Sequence, residues 1–143
     1  MSDGDISVPG SPSLHFRRRH RLSRSLDYRA AYKQGKRKPR GPLLIFARPN
    51  GLDHARLGLS VPRRVGNAVE RNRVKRRLRE AFRLLMPSMP PGYDVVISVR
   101  PHAPLPMAEY QGLLESAWRS LDGDWRRHAA RQQSGSDRPG DNT

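Results

Sequence analysis

The stretch RLGLSVPRRVGNAVERNRVKRRLREAFR, residues 56–83, passes from a strand-like apolar run through a basic loop into a long helix. Asn67 suits the N-cap, because its side-chain oxygen accepts from backbone N–H groups that the first turn leaves unpaired, and Glu70 three residues later completes a capping box. Pro87 stops the helix, which is predicted over 67–86. Val74, Leu78, Ala81 or Phe82, and Leu85 recur at the spacing of one buried stripe. Arg71, Lys75 and Arg79 are successive i+4 neighbours and form a ridge beside that stripe, widened by Arg73, Arg76, Arg77 and Arg83. Glu70 and Glu80 are the acids within the segment, and like charges four residues apart destabilise an isolated helix. A polyanion relieves that repulsion, and a nucleic-acid backbone adds counterion release for each phosphate neutralised. Asn72, between two arginines, both donates and accepts, so it can read a base edge or a sugar.

Upstream, PLLIFAR (42–48) and ARLGLSV (55–61) have strand composition, and NGLDH (50–54) supplies turn residues, which predicts an antiparallel pair. Leu44 and Phe46 face one side of the first strand and Leu43 and Ile45 the other, so one set can build core while the other meets a ligand. Farther upstream, SLDYRAAYKQG (25–35) predicts a short helix with Ser25 as cap and Gly35 as C′ glycine. Tyr28 and Tyr32 share one face of it with Ala31 between them. KRKPRGP (36–42) reads as a basic loop. Downstream, the unbroken apolar run in YDVVISVR (93–100) predicts a central strand. A helix over 107–121, with Met107, Tyr110, Leu114, Ala117, Trp118 and Leu121 on its apolar side, is expected to close the domain.

The chain has 143 residues, enough for one domain with polar ends. Residues 1–13 and 131–143, rich in Ser, Gly, Pro and Asp, read as disordered tails flanking a domain over 14–130. A formal charge of +15 points to nucleic acid or an anionic membrane surface, with nucleic acid preferred. Lysine occurs at Lys33, Lys36, Lys38 and Lys75 alone; every other cation is arginine, which forks onto phosphate and stacks on bases. The absence of cysteine excludes disulfides, thiolate nucleophiles and Cys-based zinc sites and suits a reducing compartment. No segment is long and apolar enough for a membrane span, so a cytoplasmic location is expected, with no protein partner evident. His15, His20, His54, His102 and His128 show no metal-ligand or catalytic spacing, and His15 and His20 in their arginine-rich arm are expected to be solvated or to touch nucleic acid. The acids, Asp94, Glu109, Asp122 and Asp124 among them, are scattered, so neither metal-binding nor catalytic protein side chains are expected.

The run over 56–83 resembles the signature of the bacterial ribonuclease P protein family, with Arg71, Asn72 and Arg73 standing as its Arg-Asn-Arg motif. The resemblance extends over about 21–121, through the DYRAAYKQG helix and the YDVVISVR strand. It implies an α/β (α+β) two-layer sandwich of order αβββαβα, similar to the second domain of ribosomal protein S5, with the basic helix in a left-handed βαβ crossover. It leaves one short strand to be placed. By the same resemblance, Arg63, Arg64, Arg71, Asn72, Arg73, Lys75, Arg76 and Arg79 are expected to hold the catalytic RNA subunit. Tyr28, Tyr32, Leu44 and Phe46 are expected to line a cleft for the single-stranded 5′ leader of precursor tRNA, where bases stack on aromatic faces without demanding one sequence. The family also implies that RNA performs the endonucleolytic cleavage with Mg2+ held mainly by RNA, and that the protein alone carries no cofactor. A ribosomal or ribosome-assembly protein shares the charge and size and is the alternative. A DNA-binding regulator ranks last, because the basic helix lacks a helix-turn-helix or zipper context.

Overall fold

The computed structural model describes residues 18–137. The expected tail over 1–13 and the end of the other, 138–143, lie outside that range. The elements run α1 (Ser25–Gln34), β1 (Lys36–Arg40), β2 (Leu43–Pro49), β3 (Arg56–Ser60), α2 (Ala68–Leu85), β4 (Tyr93–Val99) and α3 (Met107–Asp137), the expected αβββαβα order. They form an α+β sandwich around one mixed four-stranded sheet, ordered β1-β2-β4-β3.

The expected pairing of β2 with β3 is not made. β4 lies between them, antiparallel to β2 and parallel to β3. The run Val95, Val96 and Ile97 is buried on both faces, so this strand gains most from the centre. The NGLDH segment crosses its start: Asn50 donates its backbone N–H to Gly92 O at 2.9 Å and its side-chain amide to Asp94 Oδ1 at 2.9 Å. α2 then supplies the crossover from β3 to parallel β4.

The short strand left to be placed is β1, and KRKPR is therefore strand rather than loop. It pairs antiparallel with β2 from Lys36↔Ala47 to Arg40↔Leu43. Lysine and proline disfavour a central strand, but β1 is an edge, where they also discourage pairing with another chain.

The alternation of β2 is realised. Leu43, Ile45 and Ala47 join Leu57, Val95, Ile97 and Val99 in the main core beneath α2 and α3. α2 presents Val74, Leu78, Ala81, Phe82 and Leu85 to it, and α3 presents Tyr110, Leu114, Ala117, Trp118 and Leu121, with Phe82 and Trp118 stacked at 5.0 Å. Phe46 and Val96 face the other way and, with Leu22 and Ala31, seat α1 on the opposite face of the sheet.

Three local expectations change. Arg24, not Ser25, occupies the α1 N-cap and makes no side-chain cap bond. Gly35 has an extended backbone (φ −79°) rather than a left-handed one; glycine is required because a Cβ there would lie 2.3 Å from Ala31 O. α3 continues past Leu121 to Asp137, so residues 131–137, expected in a tail, are helical. Trp125 extends its anchorage by donating Nε1–H to Ala47 O at 2.8 Å.

Candidate nucleic-acid interface

The start of α2 is built as the sequence predicts. Asn67 Oδ1 accepts from Glu70 N at 2.8 Å, and Glu70 Oε1 accepts from Asn67 N at 3.0 Å. This fixes the direction of the helix, and burial of its apolar stripe fixes its rotation. Asn72, Arg73 and Arg76 consequently stand exposed on the outward face, and Arg63 and Arg64 stand exposed on the turn before it. None of these five makes a side-chain hydrogen bond or ion pair among the described residues.

The expected ridge of Arg71, Lys75 and Arg79 is half-buried along the flank of the stripe. Arg71 donates Nε–H to Gly66 O at 3.2 Å, which ties the ridge to the preceding turn. Burial, and then the positive charge of Arg21, push the Arg79 guanidinium below its ordinary pKa. Arg77 and Arg83 are diverted from the charged surface: Arg77 donates to Leu105 O at 2.6 Å, and Arg83 pairs with Glu80.

The four residues expected in the cleft gather around α1. Tyr28 lies over Gly58, and its hydroxyl oxygen accepts from Leu59 N at 3.2 Å. Tyr32, 40 % exposed, meets Phe46 edge-on at 4.8 Å. Phe46 is itself buried, so it supports Tyr32 from below, while Leu44 is half-buried one row farther along the same face. The register places Ser98 beside Leu44, and Ser60 beside Ser98, on the floor of this face.

Sequence reading missed the polar clamp at one end of the floor. Asp94, fully buried, accepts Nε–H and Nη2–H of Arg56, each at 2.8 Å, and Asp27 Oδ2 on α1 lies 3.7 Å from Arg56 Nη1. Hydrogen bonding to Asp94 raises the Arg56 pKa. Hydrophilic residues 38 positions apart carry no local signal of pairing. His20 also departs from expectation: it is 6 % exposed, with its ring edge-on to His54 at 5.6 Å. Among the described residues no group of three or more His, Cys, Asp or Glu is arranged to hold a metal ion, and no helix is long and apolar enough to cross a membrane.

A strand, a basic turn, a capped helix with arginines on its outer face and an aromatic helix across the opposite face of the sheet occur here in one arrangement. A family model described as Ribonuclease P matches residues 16–122. The chain belongs to the ribonuclease P protein family. It is similar to the ribonuclease P protein component of Clostridioides difficile, with 40% identity over 88 residues, 61% of this chain and 77% of that one. The component from Roseiflexus is 38% identical over 104 residues, covering 71% of this chain and 85% of that protein. Among solved structures, the Staphylococcus aureus RNase P protein superposes with a TM-score of 0.62 at 30% identity, covering 70% of this chain and 93% of that one. The Thermotoga maritima protein does so with 0.61 at 31%, covering 67% and 92%. Membership in the ribonuclease P family carries a role in tRNA processing within a ribonucleoprotein endoribonuclease.

Proposed function

We propose that this chain is the RNA-binding subunit of a ribonuclease P in which RNA carries the chemistry. The observation that carries the reading is the division of α2 into a buried apolar stripe and an outward face where Asn72, Arg73 and Arg76 have no protein partner among the described residues. Arginines with their forks free can bind phosphates bidentately, and each contact releases counterions. Together with Arg63, Arg64, Arg71, Lys75 and Arg79, these residues hold the catalytic RNA subunit. Tyr28 and Tyr32, backed by Phe46 and Leu44, receive the 5′ leader of precursor tRNA, and stacking makes that capture tolerant of leader sequence.

On this reading the protein raises affinity and orients the leader, while Mg2+ bound mainly by RNA serves endonucleolytic removal of the leader. The cytoplasm, where precursor tRNA is made in bacteria, is the proposed location. The test is reconstitution with ribonuclease P RNA at limiting Mg2+. The wild-type chain should enable accurate removal of 5′ leaders. Arg73→Ala with Arg76→Ala should weaken assembly and flatten its salt dependence by more than 1 in log–log slope, about 0.7 to 0.9 per lost phosphate contact. Unchanged assembly across salt would sink the reading.

A further inference from the structure

The cleft under α1 is closed on one side and open on the other. At the β3 edge, Arg21 bridges to Leu57 and Leu22 donates its N–H to Leu57 O at 2.9 Å, so the chain before α1 walls that side. At the β1 edge, Arg37 stands in register with Phe46 and Pro39 with Leu44, and both are exposed. A strand lying on the floor can therefore continue outward across β1.

The other side of β1 is cationic as well, because side chains alternate along a strand. Arg40 donates Nε–H to Ser116 Oγ at 2.9 Å, Lys38 lies 3.2 Å from Asp124 Oδ2, and Lys36 sits over the Trp125 ring at 5.0 Å. Asp124 also pairs with Arg127, which brings that guanidinium to the strand, and Arg131 follows one turn later on the same helix face. Arg127 and Arg131 are exposed and lie beyond residue 122, where the family match ends. Against Lys36, Arg37, Lys38, Arg40, Arg127 and Arg131, Asp124 is the one carboxylate bonded to the group among the described residues. Lysine and proline on an edge strand also guard against aggregation. That role gives no reason for further arginines gathered behind the strand on a helix.

We propose that the β1 edge and the part of α3 beyond residue 122 form a second cationic track, which takes the phosphates of leader nucleotides lying beyond those in the α1 cleft. The inference rests on the leader-cleft reading and extends it. The start of the α2 surface does not serve this track: α2 begins past Ser60 on the β3 edge, whereas Trp125 meets Lys36 and Ala47, three residues or about 10 Å away along the strands and, at β1, three strand spacings or about 14 Å across the sheet.

The test measures binding of the reconstituted holoenzyme to precursor tRNAs with unstructured leaders of about five and about fifteen nucleotides, lengths spanning a typical single-strand site. The variant is Arg37→Ala, Arg127→Ala and Arg131→Ala, all at exposed positions that leave Lys38–Asp124 and Trp125 intact; a melting curve checks its fold. Lengthening the leader should tighten wild-type binding, and the variant should lose that gain, keep short-leader affinity within about twofold, and show a long-leader salt slope shallower by about 2. The track is overturned by absence of a length gain in the wild type, by equal losses for both leaders, or by weaker assembly with the RNA subunit alone. Tyr32→Ala, measured on the short leader, reports separately on the cleft: unchanged affinity there removes the cleft reading without bearing on the length gain.

Discussion

Arg56 and Asp94 face each other across paired strands and share two hydrogen bonds of 2.8 Å, with the carboxylate fully buried and the guanidinium near the surface. Arg56 also faces Asp27, so one side chain joins the sheet to the helix that carries both tyrosines. Replacing Arg56 with Met leaves the Asp94 charge buried with the Asn50 amide, a loss of about 3–5 kcal/mol in stability. Arg56→Met with Asp94→Leu should recover much of it. Urea denaturation of the three proteins decides the matter, and equal stability of wild type and Arg56→Met would refute the clamp.

Gly58 is the seat of Tyr28. A Cβ at position 58 would lie 2.8 Å from Tyr28 Cζ, closer than the ring permits. Gly58→Ala is expected to destabilise the fold by about 1–3 kcal/mol through overpacking. In a Tyr28→Ala background the same change should cost little. A double-mutant cycle by thermal melting measures the coupling, and strict additivity would place the ring elsewhere.

Tyr32 offers the cleaner probe of leader capture, since Tyr28 is also engaged with the Leu59 backbone. Tyr32→Ala should leave stability nearly unchanged and weaken binding of leader-bearing precursor by about 1–3 kcal/mol, the worth of one stacked base. Mature tRNA should bind as before. An equal loss for both RNAs would count against the cleft.

The α2 cap predicts a stability effect that also touches assembly. Asn67→Ala removes the acceptor for Glu70 N and should cost about 1 kcal/mol. Asn67→Asp retains the acceptor and should behave as wild type. Chemical denaturation distinguishes them, and indistinguishable curves for all three would show the cap to be idle.

The elements that were legible in the sequence are those whose signals are local. The Asn67–Glu70 cap, the α2 stripe and the apolar run of β4 each lie within a few residues, and the structure contains all three. The cationic face of α2 could be read with them because the buried stripe determines what is left outside. β1 was hidden because KRKPR opposes strand propensity and is held by partners on β2 and α3. The β2–β3 pairing was misread for a related reason: a turn-like NGLDH suggests a hairpin, but burial of β4 on both faces outweighs proximity in sequence. The end of α3 escaped because Gly123 and its polar neighbours weaken the helical pattern, while the anchor at Trp125 reaches Ala47 across 78 positions.

The central place of β4 has a consequence for biosynthesis. β2 and β3 share no ladder and are joined through β4, so during translation α2 emerges before the strand that unites the sheet exists. A nascent chain at that stage displays its densest arginines on a sheet still open at its middle, and each long-range contact through β4 must await residues 93–99. Closure of the sheet thus comes late in synthesis, after the most cationic helix of the chain has already been delivered.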